Sequence, residues 1–256
     1  MSREKPEQLV QSIDRAFNII EKLIESDKSL GVTDLSNSLG LHKSTVYRLL
    51  ATLVYRGYVE QDENNRYKIG LKLFEVGGIA LNKMDLRKKV KPYLSKLQLE
   101  CKETIHLGIL NGFDVVYIDK EESSEIIRMY SEVGRRVAAY CTSLGKVLLA
   151  YSDLDIYQQF KDYDFPKYTK NTISSLSQLQ EHLKMVKEQG YAIDNEEQET
   201  GIRCIGGPIF NYERQIIAAF SIAGPANRMT EERVEVLSKK VLEYSQKISA
   251  LFGYKG

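Results

Sequence analysis

The chain has 256 residues, and at roughly 150 residues per domain that length favours two domains over one. Its 43% hydrophobic and 28% charged content matches an ordinary soluble, core-forming protein and excludes collagen-like, coiled-coil and largely disordered chains. With 36 Lys and Arg against 35 Asp and Glu the net charge is +1, so bulk charge makes no case for a polyanionic partner.

Charge is uneven along the chain. By segment the balance is 0 for residues 1–70, +5 for 71–102 and −4 for 103–256. A neutral first third means that any nucleic-acid contact must be argued from local geometry. The basic run Lys83, Arg87, Lys88, Lys89 and Lys91 reads as a solvated helix face.

Residues 9–24 carry apolar side chains at 13, 16, 17, 20, 23 and 24, the spacing of a helix. A second helix is expected over 32–39, capped by Thr33 and burying Leu35 and Leu39. Gly40-Leu41 make a tight turn, and a third helix runs from His42 to Arg56 with Val46, Leu49, Leu50 and Leu53 inward. After Gly57, residues 58–61 and 66–69 read as a two-stranded hairpin. Three helices followed by a hairpin describe a winged helix-turn-helix. A linker helix follows over 71–82, weakened by Gly77-Gly78, and another over 85–102, broken near its start by Lys91-Pro92.

Beyond residue 102 the pattern changes. Six segments rich in strand formers are expected at 105–110, 115–118, 126–129, 191–193, 201–210 and 215–223. Helices are expected at 143–151, 155–162, 175–188 and 230–251. The fold class is α+β, with a mostly antiparallel sheet in the second half. The expected division is 1–70 for the winged domain, 71–83 for the linker helix and 84–256 for the second domain.

If the third helix buries its apolar stripe, Ser44, Arg48, Ala51 and Tyr55 face outward, with Lys43, Thr45 and Tyr47 near the helix start. That face suits a DNA major groove: Arg48 can make a bidentate pair with guanine or phosphate, and Ser44 and Thr45 can bond base edges or phosphate. Asn64, Asn65 and Arg66 at the hairpin tip would lie along the backbone or the minor groove. Protein docking through the same face is the alternative.

In the second half, Thr142 and Ser143 precede the apolar run Leu144, Val147, Leu148, where a helix begins with unsatisfied N–H groups. They either cap that helix or help hold a small carboxylate. Gly145 would let backbone approach a ligand, and Asp194 either accepts from a ligand hydroxyl or caps a turn.

The motifs resemble the IclR-type bacterial transcriptional regulators over nearly the whole chain. Gly-Leu-His-Lys-Ser-Thr-Val-Tyr-Arg-Leu-Leu (40–50) is similar to the family's recognition helix, and Thr-Ser-Leu-Gly-Lys-Val-Leu-Leu-Ala (142–150) to an effector-domain motif. The segments 190–197 and 204–211, separated by six residues, match the family signature, and 221–230 follows as expected. The resemblance implies a DNA-binding domain joined by a linker helix to an effector-binding domain of GAF-like fold, an antiparallel sheet with flanking helices, assembled as dimers or dimers of dimers. It also implies that Ile126, Met129, Ser143, Leu144, Asp194, Ile202, Cys204 and Ser221 line the effector cavity. Tyr140 and Cys141 stand where many members have His and Ala.

Enzymatic readings are weaker. Cys141, Cys204, His106 and Asp194 would be the parts of a thiol nucleophile, but no nucleophile motif surrounds either cysteine. His42, His106 and His182 are too scattered for a metal motif, and no phosphate loop is present, so no cofactor or metal is expected. The three cysteines show no CxxC spacing and read as reduced thiols. Without an apolar segment of about 20 residues or a signal-like start, a cytoplasmic location away from membranes is expected. The expected function is a ligand-responsive regulator on a pseudo-palindromic operator in double-stranded DNA, a repressor of a catabolic operon, answering to a small carboxylate such as a keto-sugar acid. The alternative is a small-acid-metabolising enzyme whose winged helix binds protein.

Overall fold

A computed structural model describes residues 8–82, 85–126 and 131–255. The chain divides into two compact units, the second beginning at Asp85. The first contains helices α1 (Gln11–Ile24), α2 (Val32–Leu39) and α3 (Lys43–Tyr55), strands β1 (Val59–Gln61) and β2 (Tyr67–Ile69), and helix α4 (Leu71–Asn82).

The turn between α2 and α3 rests on Gly40, whose φ of 64° is costly for other residues and whose N–H bonds Ser36 O. At the start of α2, Asp34 rather than Thr33 does the capping, accepting from Gly31 N–H at 2.9 Å. The antiparallel hairpin β1–β2 turns at Asn65, in the left-handed region at φ 58°, while Asp62 accepts from the N–H groups of Asn64 and Arg66, both at 2.9 Å. Ile19, Leu35, Val46, Leu50, Val59 and Tyr67 form the core.

The apolar positions of α1 divide differently from the expected stripe. Ile19, Ile20 and Leu23 are buried, whereas Ile13, Phe17 and Ile24 are 55%, 58% and 64% exposed. The helix packs against α2, α3 and β2 along one narrow face, so its remaining apolar residues form a second stripe outside the core. Helix α4 is continuous through Gly77-Gly78, and a Cβ at either glycine would meet nothing within 4 Å. Packing does not demand those glycines.

In the second unit, α5 (Asp85–Cys101) runs unbroken through Pro92, contrary to the expected break. Its buried stripe of Val90, Leu94, Leu97 and Cys101 spans the proline and offsets the lost backbone bond. The strands are β3 (Thr104–Asn111), β4 (Asp114–Glu121), β5 (Arg136–Ala138), β6 (Ala192–Asn195), β7 (Ile202–Phe210) and β8 (Ile216–Pro225). Among the described residues they form one sheet in the order β5-β4-β3-β8-β7-β6 with every neighbouring pair antiparallel.

Five of these strands fall where the sequence places them. The short β5, Arg-Val-Ala, carries no readable alternation and was not expected. Of the strand expected over 126–129, only Ile126 lies within the described residues, and it sits in a bend.

A short 3-10 turn (Ala139–Cys141) leads into α6 (Ser143–Tyr151), followed by α7 (Ile156–Phe160), α8 (Leu176–Gln189) and, after the strands, α9 (Glu231–Ala250). Helix α6 packs on one face of the sheet and on α8, and α5 and α9 on the other face. Asp155, Ser175 and Thr230 each cap a helix through the side chain. Among the described residues no helix is long and apolar enough to cross a membrane.

Candidate DNA-reading surface and effector cleft

Helix α3 buries Val46, Leu50 and Leu53 with Leu49 half-buried, which leaves Lys43, Ser44, Tyr47, Arg48, Ala51 and Tyr55 exposed. Tyr47 is 60% and Tyr55 88% exposed. Thr45 is half-buried. No side chain caps the helix start, so the first-turn N–H groups of Lys43 and Ser44 remain available to an anion. Among the described residues the guanidinium of Arg48 has no partner, which leaves all five donors for an external acceptor.

Arg66 is placed differently. Its Nε donates to Ser29 O at 2.8 Å and its Nη2 to Asp34 Oδ2 at 3.0 Å, so it ties the hairpin to α2 instead of standing free at the tip. Asn65 accepts from Gln61 Nε2 at 3.0 Å within the hairpin. Asn64 is exposed. The wing residues therefore brace the domain first.

In the second unit, Thr142 is the N-cap of α6: its hydroxyl accepts from Gly145 N–H at 3.2 Å and donates to Ala138 O at 2.9 Å. Gly145 admits protein backbone, not ligand. A Cβ there would lie 2.1 Å from Ala139 O, so the glycine lets the helix start press against the preceding turn. Gly206 plays the matching part on β7, where a Cβ would meet the Ser143 carbonyl at 2.8 Å.

These contacts gather Thr142, Ser143 and Leu144 against Asp194, Ile202, Cys204 and Ser221 around a closed cleft of about 20 Å³, room for a single water. His106, Tyr117, Gln198 and Glu199 complete its wall. Tyr117, Gln198 and Glu199 were not placed there from sequence, and His106 only beside Cys204 and Asp194 in the enzymatic alternative; strand pairing sets His106 of β3 opposite Ser221 of β8. Ile126 is 95% exposed and stands outside this cluster, and Met129 lies outside the described residues. Tyr140 is fully buried among Tyr163, Phe165 and Tyr168, with its hydroxyl donating to Pro166 O, so it belongs to the core and not to the cleft rim.

Burial holds His106, Tyr117 and Cys204 of the cleft wall in their neutral forms. Burial takes His106 down to about 3, and the neutral ring stacks on Tyr117 at 4.6 Å while Nε2 meets Ser131 Oγ at 2.6 Å. Burial also raises the Tyr117 phenol and lifts the Cys204 thiol well above its usual value. Asp194 is different: burial, reinforced by the neighbouring Glu197 carboxylate, lifts it to about 7 even though it accepts from Glu197 N–H at 2.8 Å. A neutral thiol and a neutral imidazole make no nucleophilic pair.

The amino-terminal residues 12–63 match the family model for the IclR helix-turn-helix domain, and residues 78–250 match that for the bacterial transcriptional regulator IclR C-terminal domain. The chain belongs to the IclR family of bacterial transcriptional regulators. It is 42% identical to the HTH-type transcriptional regulator KdgR of Escherichia coli over 98% of this chain and 96% of that protein, and 36% identical to the regulator XynR of the same organism over 96% and 98%. Among solved structures it resembles the Thermotoga maritima IclR crystal structure with a TM-score of 0.78 at 32% identity, covering 96% of this chain and all of that one. As an IclR-family member the chain is an HTH-type transcriptional regulator that binds DNA, and not an enzyme.

Proposed function

We propose that this IclR-family protein is a ligand-responsive repressor of a catabolic operon, working in the cytoplasm as a dimer or dimer of dimers on a pseudo-palindromic operator. Arg48 on the exposed face of α3, without a partner among the described residues, carries the DNA half of the reading with Lys43, Ser44, Thr45 and Tyr47. Asn65 and Arg66 contribute at the backbone through whatever donors the hairpin leaves over. Two relatives that are repressors, AllR of Salmonella typhimurium and IclR of Escherichia coli, each 32% identical to this chain, support repression over activation. A second copy is supported by the exposed apolar residues Ile13 and Phe17 on α1 and Phe74 and Ile79 on α4, which a lone protomer would leave in water. The functional division runs 1–70 for DNA, 71–83 for the linker and 84–256 for the effector.

The effector is a small hydroxylated carboxylate such as a keto-sugar acid, held by Ser143, Asp194 and Ser221 with Thr142 shaping the helix start. Leu144, Ile202 and Cys204 supply the apolar wall, and Ile126 and Met129 are the further effector contacts that the family resemblance implies. A cleft of about 20 Å³ must open to take a metabolite, and that opening is the conformational change that reaches the operator.

Asp194 sets a pH dependence. Its folded value is raised to about 7, so the protonated acid, which can donate to a ligand carboxylate, prevails below that pH and is lost as pH rises through it. Operator release by a keto-sugar acid should therefore weaken by up to about tenfold per pH unit above 7. Asp194→Asn should flatten the profile. Fluorescence-anisotropy release curves between pH 6 and 9 measure this, and an identical profile in wild type and variant would refute the assignment.

A further inference from the structure

Lys146 and Glu197 form an ion pair that is 1% and 5% exposed, with Nζ 2.5 Å from Oε1. The ammonium also donates to Ile193 O on the edge strand β6 and approaches His182 Nδ1 at 3.5 Å, so its three donors are spent. Glu197 is not spent: its Oε2 is buried with no hydrogen-bond partner among the described residues. Buried acceptors are almost always satisfied, and leaving one unmatched costs about 1–3 kcal/mol.

Glu197, Lys146 and His182 line an open cleft of about 420 Å³ at the β6 edge of the sheet, between α8 and the start of α9. Met185 and Val234 give it apolar walls, and Arg203 and Glu231 mark its polar rim. It shares no residue with the cleft around Asp194. At 420 Å³ it is of ligand size, whereas the other holds one water.

We propose that this β6-edge cleft is a second small-molecule site, taking a neutral polyol whose hydroxyls bond Glu197 Oε2 and the His182 ring. The chemistry selects that class. Lysine donation to Nδ1 leaves His182 a hydrogen on Nε2, so the cleft offers an acceptor and a donor in the neighbourhood of one ammonium, and a hydroxyl satisfies both. Burial and Lys146 together keep the ring neutral by lowering its pKa, which holds that donor pattern. The lining sets two cations, Lys146 and Arg203, against two carboxylates, Glu197 and Glu231, so its charge balances and favours a neutral ligand over either ion. The same residues reach the first cleft: Glu197 N–H holds Asp194, and Lys146 belongs to the helix that Thr142 caps. Occupancy of the polyol site thus bears on the geometry around Asp194, which gives the two ligands a route to coupling.

The three histidines make the test direct, since His182 lines this cleft, His106 lines the other and His42 precedes α3. Ring proton NMR signals of the full chain, assigned with His42→Gln, His106→Gln and His182→Gln, are followed while glycerol, D-arabinitol and myo-inositol are added in turn. The expected result is a saturable millimolar shift of the His182 signal by at least one polyol, lost in Met185→Trp, where a large ring fills a half-exposed wall position. Failure of all three polyols to move His182, a shift that rises linearly without saturating, or a shift unchanged in Met185→Trp would each overturn the proposal. The effector reading stands apart from this result, because a keto-sugar acid is expected to move His106 whether or not a polyol moves His182.

Discussion

Lys146→Met should destabilise the second unit by about 3–5 kcal/mol, the cost of leaving a buried charge without its partner. The methionine fills much of the lysine volume but leaves the Glu197 carboxylate and the edge carbonyl of Ile193 without their cation. At roughly 2–4 °C per kcal/mol for a domain of this size, the melting point should fall by about 6–20 °C. Combining it with Glu197→Leu, which removes the stranded charge, should recover much of the loss, since an apolar pair of similar volume is often as stable as a buried ion pair. Thermal melts of the two single variants and the double measure the coupling. A loss under about 1 kcal/mol in Lys146→Met would show that solvent reaches the pair and that it is no buried strut.

Arg48→Ala should weaken operator binding by about 1–3 kcal/mol, or roughly 5- to 150-fold, while leaving the fold intact. The side chain is exposed and has no internal partner among the described residues, so its removal costs the free protein nothing that packing supplies. If Arg48 reads a base, the loss is confined to the operator and binding to unrelated DNA is unchanged. If it only meets phosphate, both fall together and the salt slope drops by about one. Titrations of operator and scrambled duplexes at several salt concentrations separate these cases, and equal operator affinity for wild type and variant would remove Arg48 from the interface.

The fold was legible wherever a period or a turn residue forced it. The apolar stripe of α3, the left-handed Gly40 and the capped start of α6 all sit where side-chain spacing and backbone sterics require. Elements failed to show where tertiary packing overrode local preference: Pro92 lies inside α5 because the buried stripe crosses it, and β5 is three residues long and held by its pairing with β4. The apolar surplus of α1 reads as core because spacing alone does not separate a face turned inward from one turned to solvent.

Part of the cleft around Asp194 was readable because Thr142, Ser143 and Asp194 stand at a helix start and a turn. Tyr117 was not, since strand register brings it in. Arg66 shows the opposite difficulty: a basic residue at a hairpin tip looks free in sequence, and only the fold reveals Asp34 and Ser29 O beside it.

Whether α3 reads a duplex is decided by selection of genomic fragments with the full-length protein at low salt. Fragments from its own genome are bound, recovered and sequenced, first with the wild type and then with Arg48→Ala. Enrichment of a short sequence with two-fold symmetry upstream of a catabolic operon, lost in the variant, is the predicted result. A correctly folded protein that recovers no sequence above the random background would contradict the account.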